Sequence, residues 1–275
     1  MSPEPPINPS ADPRSSEELI ALAISLAPEM DDAISPSLHV LQYRLREISA
    51  EIIALAHSAD PRLQEVAAIV LGQNRIGNKV LENKCAAELL RILGQAHDEY
   101  LLTATIYALA HVDAPERATA LLPFVEHPSA RVRNAVGYGL GRFDNDTSIA
   151  ALITLSRDTD YDVRNWATFG FGNLTDRDTP EIRDALAARI DDEGEVHLEA
   201  LYGLTVRRDA RAIAPLLKHL NDSTDRSLIS LVWDCVDKLR ESREEFGPEW
   251  TPVFEILDTK FSWHTGLDCV EYSSE

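Results

Sequence analysis

The sequence is poor in cysteine and in basic residues, and both shortages narrow its possible functions. Three cysteines occur among 275 residues, at Cys85, Cys235 and Cys269. Their odd number and wide spacing exclude a disulfide framework and a paired zinc or redox motif, and favour a reducing compartment, the cytoplasm. Lysine and arginine number 26 against 46 acidic residues, so the formal net charge is −20. Phosphate backbones and anionic lipids repel such a chain, which argues against nucleic acid and membrane partners and favours a basic protein.

Long hydrophobic runs and catalytic motifs are also missing. No apolar run approaches the roughly 20 residues that a membrane span needs. The sequence contains no phosphate-cradling glycine loop, no serine-hydrolase motif and no His-Glu-x-x-His motif. The eight histidines are scattered, and the two side chains of His197 and Glu199 point to different faces of a helix. We therefore expect no catalytic residue, no metal and no cofactor.

A repeat of 31 to 38 residues runs through most of the chain. In each copy a branched aliphatic anchor follows an acidic residue or serine by three positions. The anchors are Leu63, Leu101, Val132, Val163, Val196 and Leu228. Residues four and eight positions after each anchor are apolar or small, so they share one face of a capped helix of about three turns.

A second amphipathic segment precedes most copies, so each unit is predicted to be a hairpin of two helices. One such segment opens with Asp178-Thr179-Pro180, which places a capping side chain before a proline in the first turn. Pro123 and Pro215 interrupt two others, where we expect a kink or an early helix end.

The aligned pattern Asp-x-x-Val-Arg-x-x-Ala-x-x-x-Leu-Gly, best shown by YDVRNWATFGFG and ARVRNAVGYGLG, resembles the HEAT repeat. The resemblance is to the short form that also occurs in phycobilisome-lyase-type proteins, and it covers about residues 40–240. It implies an all-α, right-handed solenoid of about six HEAT-like hairpins with capping segments at both ends. Asp158 and Arg164 resemble the Asp and Arg that pair within and between HEAT units as a structural ladder.

The resemblance and the composition together predict three regions. Residues 1–14 hold five prolines and few apolar side chains, so we expect a disordered tail. Residues 15–240 form the solenoid with its N-terminal capping helices. Residues 241–275 form an acidic, aromatic-containing cap, in which the spacing of Trp250, Phe254 and Leu257 predicts a helix.

Small residues recur seven and nine positions after the anchors. Among them are Gly72, Gly139, Gly141, Gly170, Gly172 and Gly203. We expect them where two helices approach closely, or where a helix ends in the left-handed conformation.

Aromatic residues recur six positions after the anchors, away from the predicted packed face. In HEAT-type stacks the second helices line the concave surface, where we expect a protein partner. The concave-face candidates are Asn134, Tyr138, Asn165, Trp166, Phe169, His197 and Tyr202. The alternative interpretation is that these rings pack between neighbouring repeats.

The predicted function is a non-catalytic protein-interaction module or scaffold, acting as a monomer. One alternative is an immunity-type inhibitor of a basic toxin or effector, because an acidic groove attracts a basic partner. Another is a lyase-like or other enzyme of unrecognised type built on HEAT repeats.

Overall fold

The computed structural model describes residue 9 and residues 12–26, 36–72, 77–222 and 230–260. These residues form α-helices and short 3-10 turns, and none of them lies in a β-strand. The helices are α1 (Ser16–Leu26), α2 (Pro36–Tyr43), α3 (Leu45–Ala56), α4 (Pro61–Leu71), α5 (Lys79–Gln95), α6 (Glu99–Ala110), α7 (Arg117–Leu121), α8 (Ala130–Leu140), α9 (Asp146–Leu155), α10 (Tyr161–Asn173), α11 (Pro180–Ala187), α12 (Gly194–Val206), α13 (Ile213–Asp222), α14 (Ser230–Glu241) and α15 (Thr251–Lys260). Over this part of the chain, none has both the length and the apolar character to cross a bilayer.

The chain forms two compact units, Met1–Ala167 and Thr168–Glu275, and α10 runs from one into the other. In the first unit α3 packs on α4, α5 on α6 and α7 on α8, while α4, α6 and α8 pack side by side. In the second unit α11 packs on α12, α12 on α14, and α13 on α15. These are stacked helical hairpins, so the predicted all-α solenoid class is confirmed.

The face that the repeat predicts is the buried face of each second helix. All twelve residues four and eight positions after the anchors are buried: Ala67, Leu71, Thr105, Leu109, Val136, Leu140, Ala167, Phe171, Ala200, Leu204, Val232 and Val236. Burying such side chains contributes about 1.5–3 kcal/mol for each of the larger ones. The core therefore runs along the hairpins rather than at a single centre.

Most predicted helix starts are capped by side chains. Asp60, Asp98 and Asp160 accept hydrogen bonds of 3.0–3.1 Å from backbone N–H groups of the first turn. Ser129 and Glu193 precede their helices without such a bond. The equivalent Asp225 lies outside the described residues.

The two predicted proline interruptions have different outcomes. Before Pro123, α7 ends at Leu121 and a 3-10 turn follows, as expected. Pro215 lies in the first turn of α13 and does not break that helix. A proline costs little there, because the N–H groups of a first turn have no partner inside the helix.

Two glycines mark contacts in which consecutive second helices nearly touch. A Cβ on Gly72 would lie 2.8 Å from the Cα of Ala108, and one on Gly203 would lie 3.2 Å from the Cα of Gly172. In both contacts a residue nine positions after one anchor meets a residue seven positions after the next. The close-approach interpretation of the small residues is confirmed at these two contacts.

The glycines seven positions after the anchors also make room for the first helix of their own hairpin. A Cβ on Gly139 would lie 2.7 Å from Leu121, and one on Gly203 would lie 2.9 Å from Leu186. The left-handed alternative is wrong for Gly72 and Gly141, which end their helices in right-handed conformation at φ −67° and −57°. The space between helices, not backbone freedom, therefore requires glycine at positions 72, 139 and 203.

The predicted end regions lie partly outside the described residues. Of the predicted tail at 1–14, residues 1–8, 10 and 11 are not described, and neither are residues 261–275 of the predicted cap. The predicted cap helix is present as α15, where Trp250, Phe254 and Leu257 are buried. At the other end, α1 packs against α2 and α4.

Candidate functional site

Three rings form a continuous row across the second helices of the first unit. We call Tyr107, Tyr138 and Trp166 the aromatic row. The ring centroids of Tyr107 and Tyr138 are 5.2 Å apart, and those of Tyr138 and Trp166 are 4.9 Å apart at 88°. Edge-to-face pairs of this kind are favourable beyond the area they bury. All three side chains are half-buried. The rings therefore connect neighbouring repeats, and part of each ring is exposed to solvent.

Polar side chains hold the tyrosine hydroxyl groups of the row. The Tyr107 hydroxyl donates to Oδ1 of Asn134 at 2.6 Å, and the Tyr138 hydroxyl lies 3.3 Å from Nε2 of His111. Asn134 therefore connects α8 to α6 below the rings. The Arg142 guanidinium stands 5.8 Å from the centroid of the Tyr138 ring, a cation–π distance.

Asn165 and Phe169 are half-buried on α10, four residues apart and so on one side of that helix. Asn165 belongs to the first unit and Phe169 to the second. The remaining candidates, His197 and Tyr202, lie on α12. The structure brings together Asn134, Tyr138 and Trp166 among the predicted binding residues.

Asp158 links two consecutive copies of the repeat. Its carboxylate accepts hydrogen bonds from Nε and Nη2 of Arg133, in the preceding copy, at 2.6 and 2.8 Å. The Arg133 guanidinium lowers the pKa of Asp158. Arg164 donates instead to the carbonyl oxygens of Asp158 and Thr159, at 3.2 and 3.1 Å. Sequence reasoning missed Arg133 because its own copy carries His127 where the pattern requires Asp.

His197 pairs with a histidine that the repeat pattern does not reveal. Its Nε2 atom lies 2.8 Å from Nε2 of His219, on α13. Its Nδ1 atom contacts the carbonyl oxygen of Ile190, which can only accept, so Nδ1 carries a hydrogen. Burial and then the neighbouring His197 lower the pKa of His219. Burial and the neighbouring ring therefore favour the neutral form of His219.

Glu199, one turn before Gly203 on α12, titrates near neutral pH. Burial, and then the carboxylates of Glu195 and Asp234, raise its pKa to about 7, although the Asn173 amide donates to it. Burial disfavours the charged form, and like charges add to that effect.

Carboxylates surround Tyr202 in the second unit. Burial first, and then Asp234, Glu241 and Glu199 among its neighbours, raise the pKa of the Tyr202 hydroxyl. We call Glu195, Glu199, Asp234 and Glu241 the acidic patch. The patch places carboxylate side chains beside an aromatic ring.

Two of the three cysteines lie in the described residues, and neither is part of a metal-ligand cluster. Among the described residues, no group of three or more His, Cys, Asp or Glu side chains is placed to hold a metal ion. Cys85 and Cys235 are buried free thiols, and burial raises their pKa values to about 11 and about 12. Both thiols are therefore protonated at neutral pH and are poor nucleophiles.

Residues 86–172 match the family model for HEAT repeats. Protein YibA, from two strains of Escherichia coli, K12 and O157:H7, is 35% identical to the chain over 132 residues. That alignment covers 48% of this chain and 42% of the relative, so the chain spans about two fifths of the relative's length.

Solved structures are similar in fold over a larger part of the chain. The X-ray structure of YibA superposes with a TM-score of 0.61 at 23% identity, covering 84% of this chain and 98% of that one. The crystal structure of an engineered protein gives 0.53 at 18% identity, covering 84% and 72%. At these identities the likeness shows the fold alone, and it agrees with the hairpins described above. The chain therefore contains HEAT repeats within residues 86–172.

Proposed function

We propose that this chain is a non-catalytic interaction module that binds a protein partner through the second helices of its hairpins. HEAT repeats generally build extended interaction surfaces. The observation that supports the proposal most is the aromatic row, in which three half-buried rings lie on the second helices of consecutive hairpins. Tyrosine and tryptophan are enriched among the residues that dominate binding energy.

The row is preorganised for contact. The hydroxyl groups of Tyr107 and Tyr138 are already placed by Asn134 and His111, and the edge-to-face contact fixes the ring of Trp166. Side chains that are ordered before binding lose little rotamer entropy when a partner arrives. The rings thus offer apolar area at a low entropic cost.

The test uses tagged chain, expressed in the cells it comes from, to recover partners for affinity measurement. Tyr138→Ala is compared with Tyr100→Ala, whose ring is 52% exposed on α6 outside the row. We expect Tyr138→Ala to weaken the recovered complex at least tenfold, about 1.4 kcal/mol, and Tyr100→Ala to change it less than twofold. If Tyr138→Ala lowers the melting temperature and leaves affinity unaltered, the row is only inter-repeat packing and this proposal fails.

We further propose that the partner is basic, as an inhibitor of a basic toxin or effector requires. The charge of −20 and the acidic patch around Tyr202 support this. Steering by charge makes the association rate fall steeply with salt. Stopped-flow rates at about 50 and 500 mM salt should then differ by roughly tenfold or more, and Asp234→Asn with Glu241→Gln should reduce the difference. Rates that do not respond to salt would exclude a basic partner.

We also propose that the module works as a cytoplasmic monomer. Buried free thiols such as Cys85 and Cys235 suit a reducing compartment. Sedimentation over a range of micromolar concentrations tests the monomer, and a concentration-dependent increase in mass would contradict it.

A further inference from the structure

An open cleft of about 370 Å³ lies beside the aromatic row, between α5, α6 and the residues that follow α6 and α8. Its lining includes the nitrogen-bearing side chains of His111, Arg117 and Arg142 and the carboxylates of Glu82 and Asp113. A volume of this size is at the lower end of small-ligand sites. Every lining residue belongs to the first unit.

Arg142 has no carboxylate partner within the part of the chain that the structure describes. Within the described residues its guanidinium makes no hydrogen bond and no ion pair, and it stands over the Tyr138 ring in a cation–π contact. The side chain is exposed. An unpaired arginine is unexpected in a chain whose acidic residues exceed its basic residues by 46 to 26, because a carboxylate partner is easily found.

Arg117 adds a second positive charge, and hydrogen bonds to backbone carbonyl groups fix its position. It donates to the carbonyl oxygens of Leu109 and Ala110 at 3.2 and 3.3 Å, and to that of Val112. Its guanidinium also stacks 4.5 Å from the centroid of the Phe143 ring. These contacts hold the Arg117 guanidinium at the C-terminal end of α6. The position of its positive charge in the cleft is therefore fixed.

His111 is a third nitrogen-bearing side chain of the cleft. Burial first, and then Arg142 and Arg117, lower the pKa of the His111 ring. Its Nε2 atom faces the Tyr138 hydroxyl at 3.3 Å. A neutral imidazole beside two guanidinium groups is a polar hydrogen-bonding group that adds no repulsion toward an anion.

The carboxylates of the cleft do not neutralise Arg142. Asp113 is bound to Lys79 at 2.7 Å, and Glu82 accepts a hydrogen bond from the backbone N–H of Gly77 at 3.1 Å. Lys79, Arg117 and Arg142 thus stand against Asp113 and Glu82, an excess of positive charge on a strongly acidic protein.

We propose that this cleft is an anion-binding site, in which the guanidinium of Arg142, beside His111 and Arg117, takes the carboxylate or phosphate group of a small organic ligand. A planar guanidinium matches both groups through two parallel N–H bonds. The cation–π contact with the Tyr138 ring, 5.8 Å from the guanidinium, helps to position Arg142. Anion binding in this cleft does not require a protein partner. It can therefore be tested independently of the proposed interaction surface.

The test is an NMR titration of the full chain that follows the arginine Nε–H signals, with sodium phosphate and sodium acetate as separate probes. Sodium chloride keeps the ionic strength constant. We expect a saturable shift of the Arg142 signal with at least one probe. Arg142→Gln should weaken the saturable response of the remaining cleft signals at least tenfold. His111→Asn serves as a second variant, expected to weaken binding severalfold without loss of fold.

Arg131→Gln is the matched control. Arg131 is also exposed and also stacks on a tyrosine, 5.2 Å from the Tyr100 ring centroid, but outside the cleft. Its substitution should change affinity less than twofold. Saturation with phosphate alone assigns the site to phosphate esters, and saturation with acetate alone assigns it to carboxylates. Linear shifts with both probes, or equal losses in Arg142→Gln and Arg131→Gln, would overturn the proposal.

Discussion

At the scale of single residues, Glu199 shows how the fold changes the chemistry of a side chain. Burial and two neighbouring carboxylates keep its pKa near 7, whereas an unfolded chain has the ordinary value near 4.5. Between these values the folded state binds more protons than the unfolded state, so the free energy of unfolding falls as the pH rises. The loss is complete above about pH 7.

We therefore expect Glu199→Gln to stabilise the protein at pH 8 by about 1–2 kcal/mol, allowing for the partial exposure of the side chain. At pH 4.5 the variant and the parent should be nearly equal. Urea unfolding at the two pH values measures the difference, with the exposed Glu193→Gln as control. Equal stabilisation at both pH values would show that the pKa of Glu199 is ordinary.

Gly203 gives a second prediction at this scale. Alanine favours a helix over glycine by about 1 kcal/mol, but a Cβ here would meet the side chain of Leu186 and the Cα of Gly172. We expect Gly203→Ala to lower stability by about 1–3 kcal/mol through overpacking. Gly94→Ala, with no atom within 4 Å of the new Cβ, should raise stability by up to about 1 kcal/mol. Thermal unfolding compares the two, and stabilisation by both would contradict the close contact.

At the scale of elements, arginine side chains hold the C-terminal ends of helices. Arg207 is 5% exposed, and it donates to five carbonyl oxygens at 2.6–3.1 Å. These belong to Phe171, Gly172, Thr175, Arg177 and Gly203. They include the last carbonyls of α10, which have no partner inside the helix, and the cation also suits the negative end of the helix dipole.

Replacing Arg207 by methionine should therefore cost about 2–4 kcal/mol, because it leaves buried carbonyl groups without donors. Arg157→Met is the control, since Arg157 is exposed and its side chain makes no hydrogen bond within the described residues. Chemical denaturation with both variants measures the cost. A loss in Arg207→Met as small as in the control would show that water replaces the guanidinium.

The helices and their caps could be predicted from the sequence more completely than the side-chain contacts between them. Anchors such as Val132 and Val163 and caps such as Asp98 repeat at a fixed spacing, so the period alone reveals them. Arg142, Arg207 and His219 occur once each, at turns or on first helices without a shared pattern. Their partners lie 4 to 36 residues away in sequence, and only the stacking of hairpins shows which side chains meet.

At the scale of the whole molecule, the division into two compact units bears on how the chain unfolds. Contacts in a repeat protein are mostly between neighbours, so a local loss of stability spreads little. We expect Gly203→Ala to speed amide hydrogen exchange in α11, α12 and α13 and to leave α4 and α6 unchanged.

The reciprocal variant is Gly72→Ala, whose Cβ would meet Ala108. It should speed exchange in α4 and α6 alone. Mass spectrometry of peptides from each helix measures both effects. If either variant changes exchange equally throughout the chain, the two units unfold as one.

The close glycine contacts between second helices also determine where a further hairpin could be added. The same register continues to α14, where Thr205 hydrogen-bonds Cys235. In this register the next helix would pack on Asp237, whose side chain is exposed and charged. A further hairpin docked there would bury a carboxylate against a helix backbone. A duplicated hairpin could therefore be inserted within the array, where small residues face each other. Packed on Asp237 after α14, it would be unfavourable. To lengthen this protein by design, an engineer must first replace that aspartate with glycine or alanine.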